Sequence, residues 1–264
     1  MVPPTGTGAG LALEGRPRSD DGRPGLTDDD LAPEVANRHL RLDVDAWEEV
    51  YVVGDVHGCR PELEALLEAL DPGAEDLVLF VGDLIRKGPD SRGVVELVRD
   101  APNLYSIRGN NEAKLIHDRV DIPELDPVAD YIGSLPVVIS LGDSFLVHGG
   151  VDSRMPLAEQ GIERLLNTRS IPPENGYDGP FWFEGYEGPG RVFFGHTPLD
   201  APVVTEHAVG LDTGCVYGGS LTAYDYRADD VVSVSAFETY QSRPDRKVLD
   251  LPEVQVEATP ILAE

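Results

Sequence analysis

Six residues of this chain could bind metal, and each stands next to glycine. Asp55 and His57 lie two positions apart in Gly54-Asp-Val-His-Gly58, directly after the apolar run Tyr51-Val-Val53. Such a pair offers one hard oxygen and one imidazole nitrogen, a mixture that suits Zn, Mn or Fe. By itself the tripeptide is equally compatible with turn chemistry, which also places Asp beside glycine. Four later stretches repeat the arrangement. Gly82-Asp-Leu-Ile-Arg-Lys-Gly88 follows Leu77–Val81, Gly109-Asn-Asn-Glu112 follows Leu104–Ile107, and Val147-His-Gly-Gly150 and Gly195-His-Thr-Pro198 close later apolar runs. Together Asp55, His57, Asp83, Asn110, His148 and His196 supply enough donors for two metal ions that share one carboxylate. Six such coincidences argue against incidental turn residues.

Buried strands must carry these loops, because an open α/β sheet displays polar groups where its strands end. Leu63, Leu66, Leu67 and Leu70 have helical spacing after Pro61, and Pro72-Gly73 stops that helix. Ser91–Asp100 reads as a second helix ended by Pro102, and Arg108-Gly-Asn-Asn-Glu112 is followed by a short third one through about Arg119. This strand–helix alternation predicts parallel strands with helical crossovers. Around Val128–Ile132 a small helical cap is expected. Val137–Ser140 and Phe145–His148 read as a hairpin about Gly142-Asp143, and Leu157–Asn167 as a helix. Ile171–Gly190, rich in Pro and Gly, reads as a long loop that Phe181, Trp182 and Phe183 pin to the body. Short strands are expected at Val192–Phe194, Val203–Thr205, Ala208–Leu211, Leu221–Tyr226 and Val231–Ala236. Residues 1–38 lack sustained periodicity and read as a disordered arm, residues 39–239 as the folded domain and residues 240–264 as a mobile tail.

Composition narrows the partners. The 264 residues carry 48 acidic against 21 basic side chains, a formal net charge of −27. Lysine occurs only at Lys87, Lys114 and Lys247. A surface of this kind repels nucleic acid and anionic membranes. An acid excess spread along the chain, with little lysine, also points to a protein adapted to concentrated salt. Cys59 and Cys215 are too few for a disulfide framework, so a reducing cytoplasm is the expected compartment. No apolar window approaches the length of a membrane span, and no secretory signal is evident.

The five loops resemble the calcineurin-like metallophosphoesterases of the phosphoprotein-phosphatase type, with the pattern GDxHG, GDxVDRG, GNHE, HGG and a late His. Gly54-Asp-Val-His-Gly-Cys59, Gly88-Pro-Asp-Ser91, Ser134-Leu-Pro136, Gly195-His-Thr-Pro198 and Leu211-Asp-Thr-Gly-Cys-Val-Tyr-Gly-Gly219 look like its bacterial and archaeal branch. That branch includes diadenosine tetraphosphatase-like enzymes and small Ser/Thr phosphatases, and the resemblance covers about residues 48–226. It implies a four-layer α-β-β-α sandwich, two mixed sheets flanked by helices, with the metals at the strand ends. It also implies that Asp55, His57 and His196 hold one divalent ion and Asn110 and His148 the other, with Asp83 bridging. Manganese is the first expectation, Fe and Zn the alternatives. A hydroxide between the ions would attack phosphorus in line. Arg169 matches loosely the family's phosphate-clamping arginine, a surface arginine being the alternative.

Two positions depart from the pattern. The family's acid histidine is Asn111 here, the aspartate that orients it is Arg86, and the neighbouring arginine is Lys87. Asparagine has no proton to give, so general-acid help of about 10²–10⁴-fold should be missing. That loss weighs most on poor leaving groups such as a serine alkoxide and least on pyrophosphate or aryl leaving groups. The expected reading is a dinuclear-metal phosphoesterase with Asp83, Asn111 and Arg86 at the reacting centre and Lys87, Asn110 and Arg169 on substrate phosphate. Its substrate would be a small nucleotide or a phosphoprotein. Ser/Thr phosphatase activity and a catalytically idle metal-binding regulator are the alternatives. A nucleic-acid phosphodiesterase is disfavoured, because no basic stripe is present.

Overall fold

The computed structural model describes residues 25–261. Alternation along the strands generates its layers. Along β2 (Val50–Val53) and β3 (Leu77–Phe80), Val50, Val52, Leu77 and Leu79 point to one core, and Val53, Val78 and Phe80 to another. Successive side chains on a strand face opposite ways, so a sheet buried on both faces needs an apolar layer on each side.

The first sheet runs β12-β11-β10-β2-β3-β4, with β4 at Leu104–Ser106, β10 at Ser220–Asp225, β11 at Asp230–Ser235 and β12 at Thr259–Ile261. β2, β3 and β4 are parallel, and β10 is antiparallel to β2. Its outer face carries α2 (Arg60–Leu70), α3 (Ser91–Asp100) and α5 (Ala129–Ser134) through Leu63, Leu66, Val94, Val95, Val98 and Ile132.

The second sheet runs β1-β5-β6-β7-β9-β8: His39–Leu42, Val138–Leu141, Ser144–Leu146, Arg191–Phe194, Ala208–Gly210 and Val203–Val204. Ile139, Leu141, Leu146, Phe193 and Val209 face the first sheet, while Val138, Phe145, Val192 and Phe194 face outward. Over that outer face lie α1 (Pro33–Ala36), α6 (Ile162–Asn167) and the aromatic loop. Two mixed sheets are therefore sandwiched between helices, as expected.

The aromatic loop is pinned as the sequence suggests. Trp182 Nε1 donates to the Gly149 carbonyl at 3.1 Å, and its ring meets Phe194 edge-on at 4.9 Å. That contact braces the loop bearing His148.

Packing does not respect the expected boundaries at residues 38 and 239. Leu26, Leu31, Ala32 and Val35 are buried against the second sheet, and Leu249 closes the same core. β1 pairs in parallel with β5, and β12 with β11. The body thus starts before residue 39 and extends past residue 239, while residues 1–24 of the expected arm lie outside the described residues. These short segments carry too little periodicity to be read as elements; their conformation comes from long-range partners.

Candidate active site

The loops after β2, β3, β4, β6 and β7 meet at one end of the sandwich. Asp55, His57, Asp83, His148 and His196 are all nearly inaccessible to solvent. His57 Nε2 lies 3.7 Å from Asp55 Oδ2 and 3.5 Å from Asp83 Oδ2, and His148 Nε2 lies 3.4 Å from Asp83 Oδ1. The His196 backbone N–H donates to both Asp55 oxygens at 3.1 and 3.2 Å, and the His148 and His196 rings meet edge-on at 5.0 Å. These five expected ligands come together, and Asp83 faces two histidines at once.

The backbone here is bent into conformations that only a rigid surrounding sustains. His57, Asp83, Arg86, Lys87 and His196 have φ between 51° and 75°. Non-glycine residues in this left-handed region cost energy and cluster at functional sites. The neighbouring glycines answer a different need. A Cβ on Gly195 would lie 1.9 Å from Asp55 Oδ1, and one on Gly109 would lie 2.2 Å from Asp83 Oδ1. Only hydrogen at those positions lets the carboxylates approach.

Hydrogen bonds fix which imidazole nitrogen is available. His57 Nδ1 pairs with the Ile85 carbonyl at 3.1 Å and His148 Nδ1 with the Val81 carbonyl at 2.8 Å. Each bond spends the Nδ1–H and turns Nε2 toward the carboxylates, as a metal-binding histidine requires. His148 Nε2 and His196 Nε2 are buried without a hydrogen-bond partner. Burial, with Lys87 adding to it, pushes His57 down to about 3, and burial likewise lowers His196 well below its ordinary value. His148 goes the other way, up to about 9, because Asp83 and Asp55 outweigh the effect of burial. Unpartnered imidazole nitrogens beside carboxylates fit a divalent cation, and the donor set is of mixed hardness.

The departing positions remain a pair. Arg86 Nη1 donates to Asn111 Oδ1 at 2.6 Å. The Asn111 side-chain amide donates to Asp83 Oδ2 and, at 3.0 Å, to Asn110 Oδ1, while its backbone N–H donates to Asp83 Oδ1 at 2.8 Å. Asn111 therefore fixes two candidate ligands instead of presenting an acidic proton. Lys87 Nζ lies 2.6 Å from His57 Nε2, and Arg169 Nη2 donates to the His196 carbonyl at 3.3 Å. The structure thus brings Arg86, Lys87 and Arg169 to the site with the six candidate ligands.

Two buried acids were not singled out from the sequence. Glu112 accepts backbone N–H groups of Asp83 (3.0 Å), Ile85 (3.2 Å) and Gly109 (2.8 Å), and so holds the β3 and β4 loops in register. Burial and Asp83 raise its carboxyl to about 7. The available signal was half of a capping box: Glu112, at the third position of α4 (Asn110–Ile116), reaches back to the backbone N–H of Gly109. Asp212, 3% exposed, accepts from Gly214 N–H at 3.2 Å. Burial raises its carboxyl, and burial together with Asp212 raises that of Asp55. It lay within the quoted Leu211–Gly219 run.

Comparison with known proteins agrees with this geometry. The model of the calcineurin-like phosphoesterase family matches residues 49–234. Bis(5'-nucleosyl)-tetraphosphatase PrpE of Oceanobacillus iheyensis is 26% identical over 242 residues, covering 73% of this chain and 94% of its own. Serine/threonine-protein phosphatase 1 of Salmonella typhimurium is 26% identical over 219 residues, covering 70% and 94%. A crystal structure described as that of a candidate diadenosine tetraphosphatase superposes with a TM-score of 0.68 at 31% identity, covering 76% of this chain and 99% of that one. With that family model spanning well over half of its length, and with the donors of all five loops gathered at one end of the sandwich, the chain belongs to the calcineurin-like phosphoesterase family.

Proposed function

We propose that this phosphoesterase prefers phosphoanhydrides, dinucleoside polyphosphates above all, and works with two divalent ions, manganese first among them. Asp55, His57 and His196 would hold one ion, Asn110 and His148 the other, with Asp83 shared. Bound ions supply activation of water and neutralisation of charge on the phosphoryl oxygens. The chain's own residues do the remainder. Carbonyl bonds to Nδ1 orient His57 and His148, and Asn111 orients Asp83 and Asn110. Lys87, Arg86 and Arg169 present positive charge to the phosphoryl group, with the two guanidinium forks suited to its oxygens.

One observation carries the anhydride preference: the Asn111 amide is tied to Asp83, Asn110 and Arg86 and has no proton to spare. A leaving group must then depart as a stable anion, which pyrophosphate-type groups do and serine alkoxide does not. The relatives named bis(5'-nucleosyl)-tetraphosphatase support this reading. The Salmonella phosphatase supports a second one, phosphoprotein hydrolysis. Composition favours the cytoplasm and concentrated salt as the working medium.

Hydrolysis of diadenosine tetraphosphate, p-nitrophenyl phosphate and a phosphoserine peptide in high salt with Mn²⁺ tests the proposal. We expect the first two to outrun the peptide, and Asp83→Asn to lower all turnover by at least about 10²-fold. A peptide cleaved faster than both would sink the anhydride preference.

A further inference from the structure

Arg86, Lys87, Arg169, Arg243 and Lys247 gather around this site, and among the described residues none of them makes an ion pair with a carboxylate. In a chain of net charge −27, five cations without an ion pair stand out. Three of these cations are linked through two tyrosines into a path that joins two metal-site histidines. Lys87, 2.6 Å from His57, lies over the Tyr217 ring at 5.2 Å. Arg243 lies over the same ring at 4.6 Å, donates from Nη1 to Tyr217 Oη at 2.7 Å and from Nη2 to Tyr177 Oη. Tyr177 in turn faces Arg169 at 4.7 Å, and Arg169 bonds the His196 carbonyl.

Arg243 is half-buried and keeps donors in reserve. Its Nε donates to the Lys247 carbonyl at 3.0 Å, so three of its five N–H groups are used and one remains on each terminal nitrogen. Lys247 lies over Tyr177 at 6.0 Å. The tyrosines hold cations at fixed spacing, and with cations already over both rings they are poor platforms for stacking a base. Unpaired like charges held this close call for an anion of matching extent.

We propose that Arg243, held between Tyr177 and Tyr217, binds a second phosphoryl group beyond the one at the metal site. This makes the site selective for chains of two or more phosphates. The recognised feature is the oligophosphate, and the base contributes little. The inference rests on the phosphoanhydride reading, but affinity tests it separately from turnover.

Calorimetric titration of the manganese-loaded enzyme at fixed free metal compares methylphosphonate with a methylene-bridged triphosphate analogue, neither containing a cleavable P–O–P bond. Wild type should bind the analogue more tightly, and Arg243→Ala should reduce the ratio of the two affinities about tenfold or more. Arg243→Lys should retain part of the ratio. The double variant Tyr177→Phe/Tyr217→Phe keeps both rings and removes the hydroxyls that hold Arg243; it should lower the ratio as well. Equal losses for both ligands, an unchanged ratio in Arg243→Ala, or a wild-type ratio near one would each overturn the subsite. A phosphoserine peptide outrunning the anhydrides would instead refute the anhydride preference and leave the affinity ratio standing.

Discussion

At Lys87 two demands meet in one side chain. Its Nζ lies 2.6 Å from His57 Nε2, the nitrogen that a metal would need, and no carboxylate among the described residues pairs with it. An ammonium and a divalent ion cannot both take the same lone pair. Lys87→Met should therefore tighten metal binding, roughly tenfold in apparent Kd, while raising KM because a phosphate contact is lost. Metal titration followed by steady-state kinetics checks both halves. Weaker metal binding in the variant would show that Lys87 supports the ligand set and does not compete with it. Asn111 and Arg86 teach a related lesson. Between them the guanidinium donates to an amide oxygen, so that contact carries no acidic proton toward the site.

Between elements, buried carboxylates act as ties. Glu112 joins the first turn of α4 to the loop after β3 through three backbone N–H groups. In Glu112→Gln an amide NH₂ would face some of those donors, costing about 2–3 kcal/mol of stability and loosening Asp83. Chemical unfolding of the metal-free variant gives the first effect, and metal affinity gives the second. Asp152 is the corresponding tie on the other sheet. It receives Arg154 at 2.8 and 2.7 Å and Arg164 of α6 at 2.7 Å, which anchors the chain leaving the His148 loop. The Arg154 hydrogen bonds hold its carboxyl below the ordinary value. A depressed carboxyl stabilises the fold fully above its unfolded pKa of about 3.9 and loses that contribution as pH falls through the folded pKa. Asp152→Asn should cost about 1–3 kcal/mol near neutrality, with the difference from wild type fading as pH falls through the lowered folded pKa. Urea midpoints across that range test it; a difference that persists in acid would assign the effect to packing.

For the molecule as a whole, charge dominates. A net charge of −27 repels itself at low ionic strength, and salt screens that repulsion. Raising KCl from about 0.1 to 2 M should lift the melting temperature by roughly 5 °C or more, since about 1 kcal/mol corresponds to 2–4 °C in a chain of this size. A flat or falling melting temperature would argue against adaptation to salt. Among the described residues no helix is long and apolar enough to cross a membrane.

Local chemistry made much of this protein legible in its sequence. Strand ends at Gly54 and Gly82 announced themselves because apolar runs stop abruptly at glycine, and the ligand types beside them are few. The continuous apolar runs Tyr51–Val53 and Leu77–Val81 already implied buried strands. The reach of the fold was not legible. β1, β12 and the segment around Leu26 are set by partners far along the chain or by edge pairing, and their own periodicity is weak. Nor could spacing reveal that Arg243, well beyond the last expected strand, returns to lie between Tyr177 and Tyr217. Residue types and turn chemistry determined which groups could act. Only the tertiary structure decided which of them share a site, because that depends on long-range packing, which leaves no local pattern to read.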